Sequence, residues 1–175
     1  RAGIIIREVR AFLRRESPNR EPVDLSRIAA EAVTLVQSNL AARKVSLRTG
    51  LAQQLPFVPG SKTQLKQALV NLILNAAEAV RNFPVPRRVI TIRTGTCRSR
   101  GVRIEVCDRG PGFGNPLPAR LFEPFYSTKP EGMGMGLAVT RSIVEAHGGT
   151  IRACNAPGGG AMFRITFPLK GPDHE

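Results

Sequence analysis

Asn71, Asn75 and Glu78 are spaced four and three residues apart, the interval that stacks side chains on one face of a helix. Gln67 extends that face by one turn. Leu65, Leu69, Leu72, Ile73, Ala76 and Val80 populate the opposite side, which should bury against a sheet. Asparagine is a poor helix former, and a merely solvated face would ordinarily carry Lys and Glu. Two mid-helix asparagines facing one way therefore point to a site, with a solvated face as the plainer alternative. An amide oxygen can ligate a hard cation such as Mg²⁺, which in turn holds phosphate oxygens.

Asp108 ends an apolar strand and enters Gly110-Pro111-Gly112-Phe113. A carboxylate there can accept a hydrogen bond from an exocyclic amine such as adenine N6. Gly110 and Gly112 would let the backbone come close to the base. Guanine would set an acceptor against an acceptor, at a cost of about 1–3 kcal/mol. The same residues also fit an ordinary turn. Gly132, Gly134 and Gly136 precede a helix. No Gly-Lys-Ser/Thr follows, so they form no P-loop, and Leu137 stands where a dinucleotide fingerprint needs its third glycine. What remains is a loop feeding a helix N-terminus, whose unpaired N–H groups suit phosphate, with Lys129 able to reach an outer phosphate. A flexible surface loop is the plainer reading.

The chain carries, in order, Asn71-Leu-Ile-Leu-Asn75-Ala76, Asp108-Arg-Gly-Pro-Gly-Phe113, Leu121-Phe-Glu-Pro-Phe-Tyr-Ser-Thr-Lys129 and Gly132-Met-Gly-Met-Gly-Leu137. This series resembles the N, G1, F and G2 boxes of the ATPase fold shared by gyrase, Hsp90, MutL and histidine kinases. The close spacing of the last two is similar to sensor kinases of the nitrogen-regulation and nitrogen-fixation type, which have a short lid. Val144-Glu-Ala-His-Gly-Gly149 and Gly158-Gly-Gly-Ala-Met-Phe163 also look like that family. The resemblance covers about residues 23–170.

It implies ATP and Mg²⁺ as ligands. Asn75 would be the metal ligand, Asn71 its neighbour near the phosphates, and Asp108 the reader of adenine. Gly110 and Gly112 would shape the base pocket. Thr128, Lys129, Gly132, Gly134 and Gly136 would belong to the lid and its hinge, with Leu137 following and Glu78 completing the nucleotide-binding set. Phe122 and Phe125 would anchor the lid by packing. In the gyrase-type enzymes the position of Asn71 holds a glutamate that activates water. An amide cannot act as a general base, so the resemblance implies ATP binding with slow hydrolysis and transfer to another group.

The elements that must position these residues can be read from periodicity and turn formers. A helix is expected from Val23-Asp24 to about Ala42, capped by Asp24 with Val23 stapled to Ile28. A strand is expected to begin at Val45 and Leu47, and others to lie at Val89–Arg93, Val102–Val106, Ile151–Ala153 and Ala161–Phe167, with a short extended piece at Leu55–Val58. Helices are expected at about Ser61–Arg81 and Met135–Ala146, the latter stopped by Gly148-Gly149. The resulting fold is an α/β two-layer sandwich, a mixed, mostly antiparallel sheet of about five strands with three helices on one face. Ile5, Val9, Phe12 and Leu13 suggest a further helix over 4–15, and prolines 18 and 22 a linker. The domain plan is thus the end of a hairpin helix (1–16), a linker (17–22), the catalytic and ATP-binding domain (23–170) and a tail (171–175).

At 175 residues with 42% hydrophobic content the chain suits one globular domain. It holds no apolar run long enough to span a bilayer. Beginning at Arg1, it reads as a piece of a longer protein that could carry a membrane anchor upstream. Cys97, Cys107 and Cys154 match no zinc spacing and read as reduced thiols of a cytoplasmic protein, Cys107 as a core residue. The formal charge is +13, yet with no tryptophan and one tyrosine a single-strand stacking surface is not expected, nor any nucleic-acid role. Only two histidines are present. His147, at a helix end, reads as a packing residue and His174 as part of the tail. The acceptor histidine implied by the resemblance would therefore lie on a hairpin domain outside this chain. A response-regulator receiver domain would be the next partner. The piece alone would be monomeric and the intact protein a homodimer. An anti-sigma-factor-type serine kinase and a binding-only nucleotide module are the alternatives on the same fold.

Overall fold

The structure, a computed structural model, describes residues 20–97, 101–127 and 134–169. Five strands form one sheet in the order β2–β4–β5–β7–β6. They are β2 (Ser46–Gly50), β4 (Val89–Cys97), β5 (Gly101–Asp108), β6 (Thr150–Asn155) and β7 (Ala161–Pro168). Only the β2–β4 pair is parallel; the other three pairs are antiparallel. Helices α1 (Leu25–Ala42), α2 (Lys62–Val80) and α3 (Gly136–Ala146) complete the two-layer α/β sandwich expected from the sequence.

Alternation along the strands decides which face the helices cover. On β7, Ala161, Phe163, Ile165 and Phe167 are buried while Arg164 and Pro168 are exposed. On β5, Val102, Ile104 and Val106 join the same core. The six apolar residues of α2 named above are all buried, and α2 packs between α1 and α3. Removing this apolar surface from water at about 25 cal/mol per Å² is what holds helices to sheet. Cys107 differs from its expected place. Counting in twos from Arg103 and Glu105 sets it on the open face of the sheet, where it is half-buried. None of the three cysteines forms a disulfide among the described residues.

Asp24 caps α1, its Oδ1 accepting from Ser26 N–H at 2.8 Å and Arg27 N–H at 3.3 Å, and Val23 and Ile28 are both buried. Ser61 caps α2 through Gln64 N–H. Glu21 and Pro22, placed by their prolines in a linker, instead form strand β1 (Glu21–Val23), antiparallel to β3 (Val58–Gly60). Pro22 faces Pro59, so the two residues without N–H donors sit where an isolated two-stranded ladder tolerates their loss. The expected helix over 4–15 and the tail lie outside the described residues.

His147 ties this layer together. Its Nε2 accepts from Ser61 N–H at 2.9 Å, and its Nδ1 lies 2.7 Å from the Ile143 carbonyl. A neutral ring with the proton on Nδ1 satisfies both contacts. Burial holds its pKa below the ordinary 6.5, against the contact with the Ile143 carbonyl, which favours the charged form. The packing role read from the sequence is what the geometry shows.

Candidate functional site

One open cleft of about 810 Å³ lies between α2, the loop after β5, the segment 118–127 and the start of α3. That size suits a small organic ligand with several polar contacts. Asn71, Asn75, Glu78, Asp108, Gly112, Gly134, Gly136 and Leu137 all line it. Gly110 is not in the lining, and neither is Gln67. Thr128, Lys129 and Gly132 lie outside the described residues.

Asp108 closes one end. It is 4% exposed, and its Oδ1 accepts from Gly110 N–H at 2.8 Å and from Ala161 N–H at 3.2 Å. A buried carboxylate held by two backbone donors is fixed in direction. Gly110 serves this end from beneath. A Cβ there would lie 2.9 Å from Asp108 Oδ1 and 3.0 Å from the Ala79 carbonyl, so its lack of a side chain lets the loop lie on the C-terminal end of α2. Gly112 has φ +73°, and a Cβ would meet Asn155 Oδ1 and the Gly160 carbonyl.

Asn71 marks the other end. Its Nδ2 is buried and has no hydrogen-bond partner among the described residues. Leaving such a donor unpaired costs about 1–3 kcal/mol, so a ligand acceptor would relieve it. Asn71 lies seven residues before Glu78, about 10 Å along the helix axis. Because Gly110 packs on Ala79, the Asp108 end faces the last turn of α2, and Gly136 and Leu137 at the start of α3 line the same cleft as Asn71. No side chain caps the N-terminus of α3, so among the described residues its first N–H groups have no side-chain partner.

Glu78 is committed to protein partners. Arg81 Nη1 lies 2.6 Å from Glu78 Oε1, and Arg43 Nη1 donates to Oε2 at 2.9 Å. Arg43 and Arg81 also line the cleft; Arg43 is the C-cap residue just after α1, and no spacing in the sequence links it to Glu78. The two phenylalanines expected to anchor a lid divide. Phe122 packs edge-on to Phe163 at 6.3 Å, as an anchor should. Phe125 does not: it is 78% exposed, with φ +65°. Its N–H donates to the Gly134 carbonyl, so the backbone rather than the ring joins Phe125 to Gly134. Gly134, at φ +68°, has no room for a side chain against Phe125 and Tyr126. Sequence reasoning also missed Asn155, Phe113 and Phe163. Phe113 and Phe163 wall the cleft and meet edge to face at 5.6 Å.

No cluster of His, Cys, Asp and Glu that could hold a metal occurs among the described residues. A cation here would find amide oxygens from the protein and would need oxygens from a ligand and water, the coordination Mg²⁺ commonly keeps.

The family model described as histidine kinase-, DNA gyrase B- and HSP90-like ATPase matches residues 60–171. The C4-dicarboxylate transport sensor protein DctS of Rhodobacter capsulatus is 40% identical over 169 residues, 97% of this chain and 26% of the relative. Sensor protein FixL of Bradyrhizobium diazoefficiens is 38% identical over 168 residues, 96% of this chain and 33% of its own length. The chain thus spans about a quarter to a third of these two relatives. Among solved structures, the catalytic domain of histidine kinase ThkA aligns with TM-score 0.73 and 28% identity, covering 85% of this chain and 95% of that one. Full-length ShkA in complex with AMPPNP aligns at TM-score 0.77 over 94% of this chain and 34% of that one, with 24% identity.

Proposed function

Because the chain belongs to the histidine kinase-, DNA gyrase B- and HSP90-like ATPase family, we propose that it is the ATP-binding catalytic domain of a two-component sensor histidine kinase. One observation carries the reading. A single cleft holds a buried carboxylate fixed by backbone donors at one end and a buried, unpaired amide N–H group at the other. The first suits the exocyclic amine of adenine and the second a phosphate oxygen.

In this reading Asp108 accepts from the base, and Gly110 and Gly112 let the loop close against it. Asn71 donates to a phosphate oxygen, and Asn75 offers its amide oxygen to Mg²⁺, which when bound would neutralise phosphate charge. The N-terminus of α3, entered through Gly134 and Gly136, faces the phosphates. Thr128, Lys129 and Gly132 complete the lid. Glu78, neutralised by Arg43 and Arg81, stands at the base end and shapes the wall there. Phosphoryl transfer rests mainly on positioning and charge neutralisation. With Asn71 in place of a general base, the γ-phosphoryl group passes to a histidine outside this chain. That acceptor would belong to a hairpin domain, of which residues 1–16 would be the end, with a linker from 17 up to β1, the catalytic domain from β1 to 170 and a tail at 171–175.

A receiver domain would take the phosphoryl group onward. No helix among the described residues is long and apolar enough to cross a membrane, and we place the domain on the cytoplasmic side. The reading is tested by titrating the chain with ATP in Mg²⁺ and in chelator, then supplying a hairpin fragment that carries the acceptor histidine. Binding strengthened by Mg²⁺ and labelling of the hairpin are expected. Failure to bind adenine nucleotide would remove the proposal.

A further inference from the structure

We propose that Asn155, at the end of β6, is a positioning residue that sets the base pocket through the backbone of Phe113; the proposal rests on the nucleotide reading of the cleft. The Asn155 carboxamide engages both polar groups of one distant residue. Its Oδ1 accepts from Phe113 N–H at 2.7 Å, and its Nδ2 donates to the Phe113 carbonyl at 3.2 Å. The side chain thus acts as an extra peptide rung, joining the loop after β5 to the sheet.

Three further contacts make this rung consequential. Gly112, next to Phe113, is pressed so close to Asn155 that a Cβ would lie 2.7 Å from Oδ1. The Phe113 ring walls the cleft and packs at 88° on Phe163. Asn155 pairs in register with Ala161, the residue whose N–H donates to Asp108 Oδ1. One rung of the β6–β7 hairpin therefore holds both halves of the pocket, Ala161 the carboxylate and Asn155 the loop that faces it. The hairpin is closed by Ala156 N–H donating to the Gly160 carbonyl at 2.8 Å. Its last glycine, at φ +93°, leaves no room for a side chain against the Asp108 carbonyl.

Asn155 does not line the cleft, so it acts by restricting the loop. Its contacts with Phe113 are exposed, so their removal should cost the fold little.

The test uses the full chain and two variants, with MgATP and MgGTP as probes. Asn155→Ala removes the rung. Asn155→Asp keeps an acceptor for Phe113 N–H but turns a carboxylate oxygen toward the Phe113 carbonyl. Both variants are expected to melt within about 2 °C of wild type and to bind ATP about three- to tenfold more weakly, the loss of one or two modest hydrogen bonds. The preference for ATP over GTP should narrow, and amide exchange should rise at Phe113. Undiminished ATP binding by Asn155→Ala would overturn the proposal. So would an equal loss of ATP and GTP accompanied by a lower melting temperature, which would make Asn155 a residue of general stability. A wild-type chain that binds no adenine nucleotide would instead refute the site reading on which the proposal stands.

Discussion

The sharpest consequence of the cleft geometry concerns Asp108→Asn. Asp108 Oδ1 accepts two backbone hydrogen bonds, from Gly110 and Ala161, and an asparagine oxygen can keep both. The fold should therefore lose little, about 1 kcal/mol for exchanging charged for neutral acceptors. The ligand should lose much more. The exchange replaces a carboxylate oxygen by an NH₂ group, so the 6-amino group of adenine meets a donor. A hydrogen bond to a charged group contributes about 1.5–3 kcal/mol, and a donor left facing a donor adds to that loss. A net loss of about 2–3 kcal/mol converts to roughly 30- to 150-fold in the ATP dissociation constant. Guanine presents an acceptor at the same position, so GTP should gain or hold steady. The assay is calorimetric titration of wild type and Asp108→Asn with MgATP and MgGTP, alongside thermal melting. A uniform fall for both nucleotides would mean that Asp108 supports the loop and does not read the base. Unchanged ATP affinity would place the base elsewhere.

Asn75→Ala should weaken ATP binding in Mg²⁺ and leave binding in chelator nearly unchanged, which titration in the two buffers resolves. The isolated chain should hydrolyse ATP far more slowly than the turnover of about 10 s⁻¹ common among enzymes; a brisk Mg²⁺-dependent rate in a phosphate-release assay would rule out the role given to Asn71. Gly160→Ala sets a side chain against the Asp108 carbonyl at φ +93° and should destabilise by about 2–5 kcal/mol, seen as a melting temperature lower by roughly 5–15 °C. His147 is held neutral, its folded pKa below the ordinary 6.5, so the unfolded chain binds the proton more readily. Its stabilisation is complete above about pH 6.5 and is lost as pH falls below that value toward the folded pKa; a melting temperature flat between pH 7 and pH 5 would contradict it.

Helix periodicity made much of this site legible. The four-and-three spacing of Asn71, Asn75 and Glu78 was enough to set them on one wall, because a helix face depends on nothing beyond the helix. Strand alternation located the core face of β7 for the same reason. The failures share a cause. Cys107 was assigned to the core from its apolar surroundings in sequence, but the face of a strand follows from register, and counting from Arg103 sends it outward. Glu21 and Pro22 were taken for linker because two prolines break helices, while their partner β3 lies about 37 residues away and supplies the pairing. The resemblance implied that Phe125 would pack as a lid anchor; the residue instead stands exposed, its backbone N–H bonded to the Gly134 carbonyl.

Several groups that order this part of the fold pair across long stretches of sequence. Asn155 meets Phe113 across 42 positions, Ala161 meets Asp108 across 53 and His147 meets Ser61 across 86. Each is a side chain paired with backbone, so the backbone partner can be any residue that the fold brings there and has no identity to read. Motifs record what touches a ligand, since a base amine or a phosphate demands a particular side chain. The groups that aim those side chains answer only to geometry. Asp108 shows both kinds of constraint at once: its carboxylate is recognisable from sequence, whereas the two N–H groups that direct it belong to a glycine and an alanine. The direction of that carboxylate therefore depends on the β6–β7 hairpin as much as on Asp108 itself, and substitutions at Asn155 or Gly160 should alter base recognition without changing any of the four motifs.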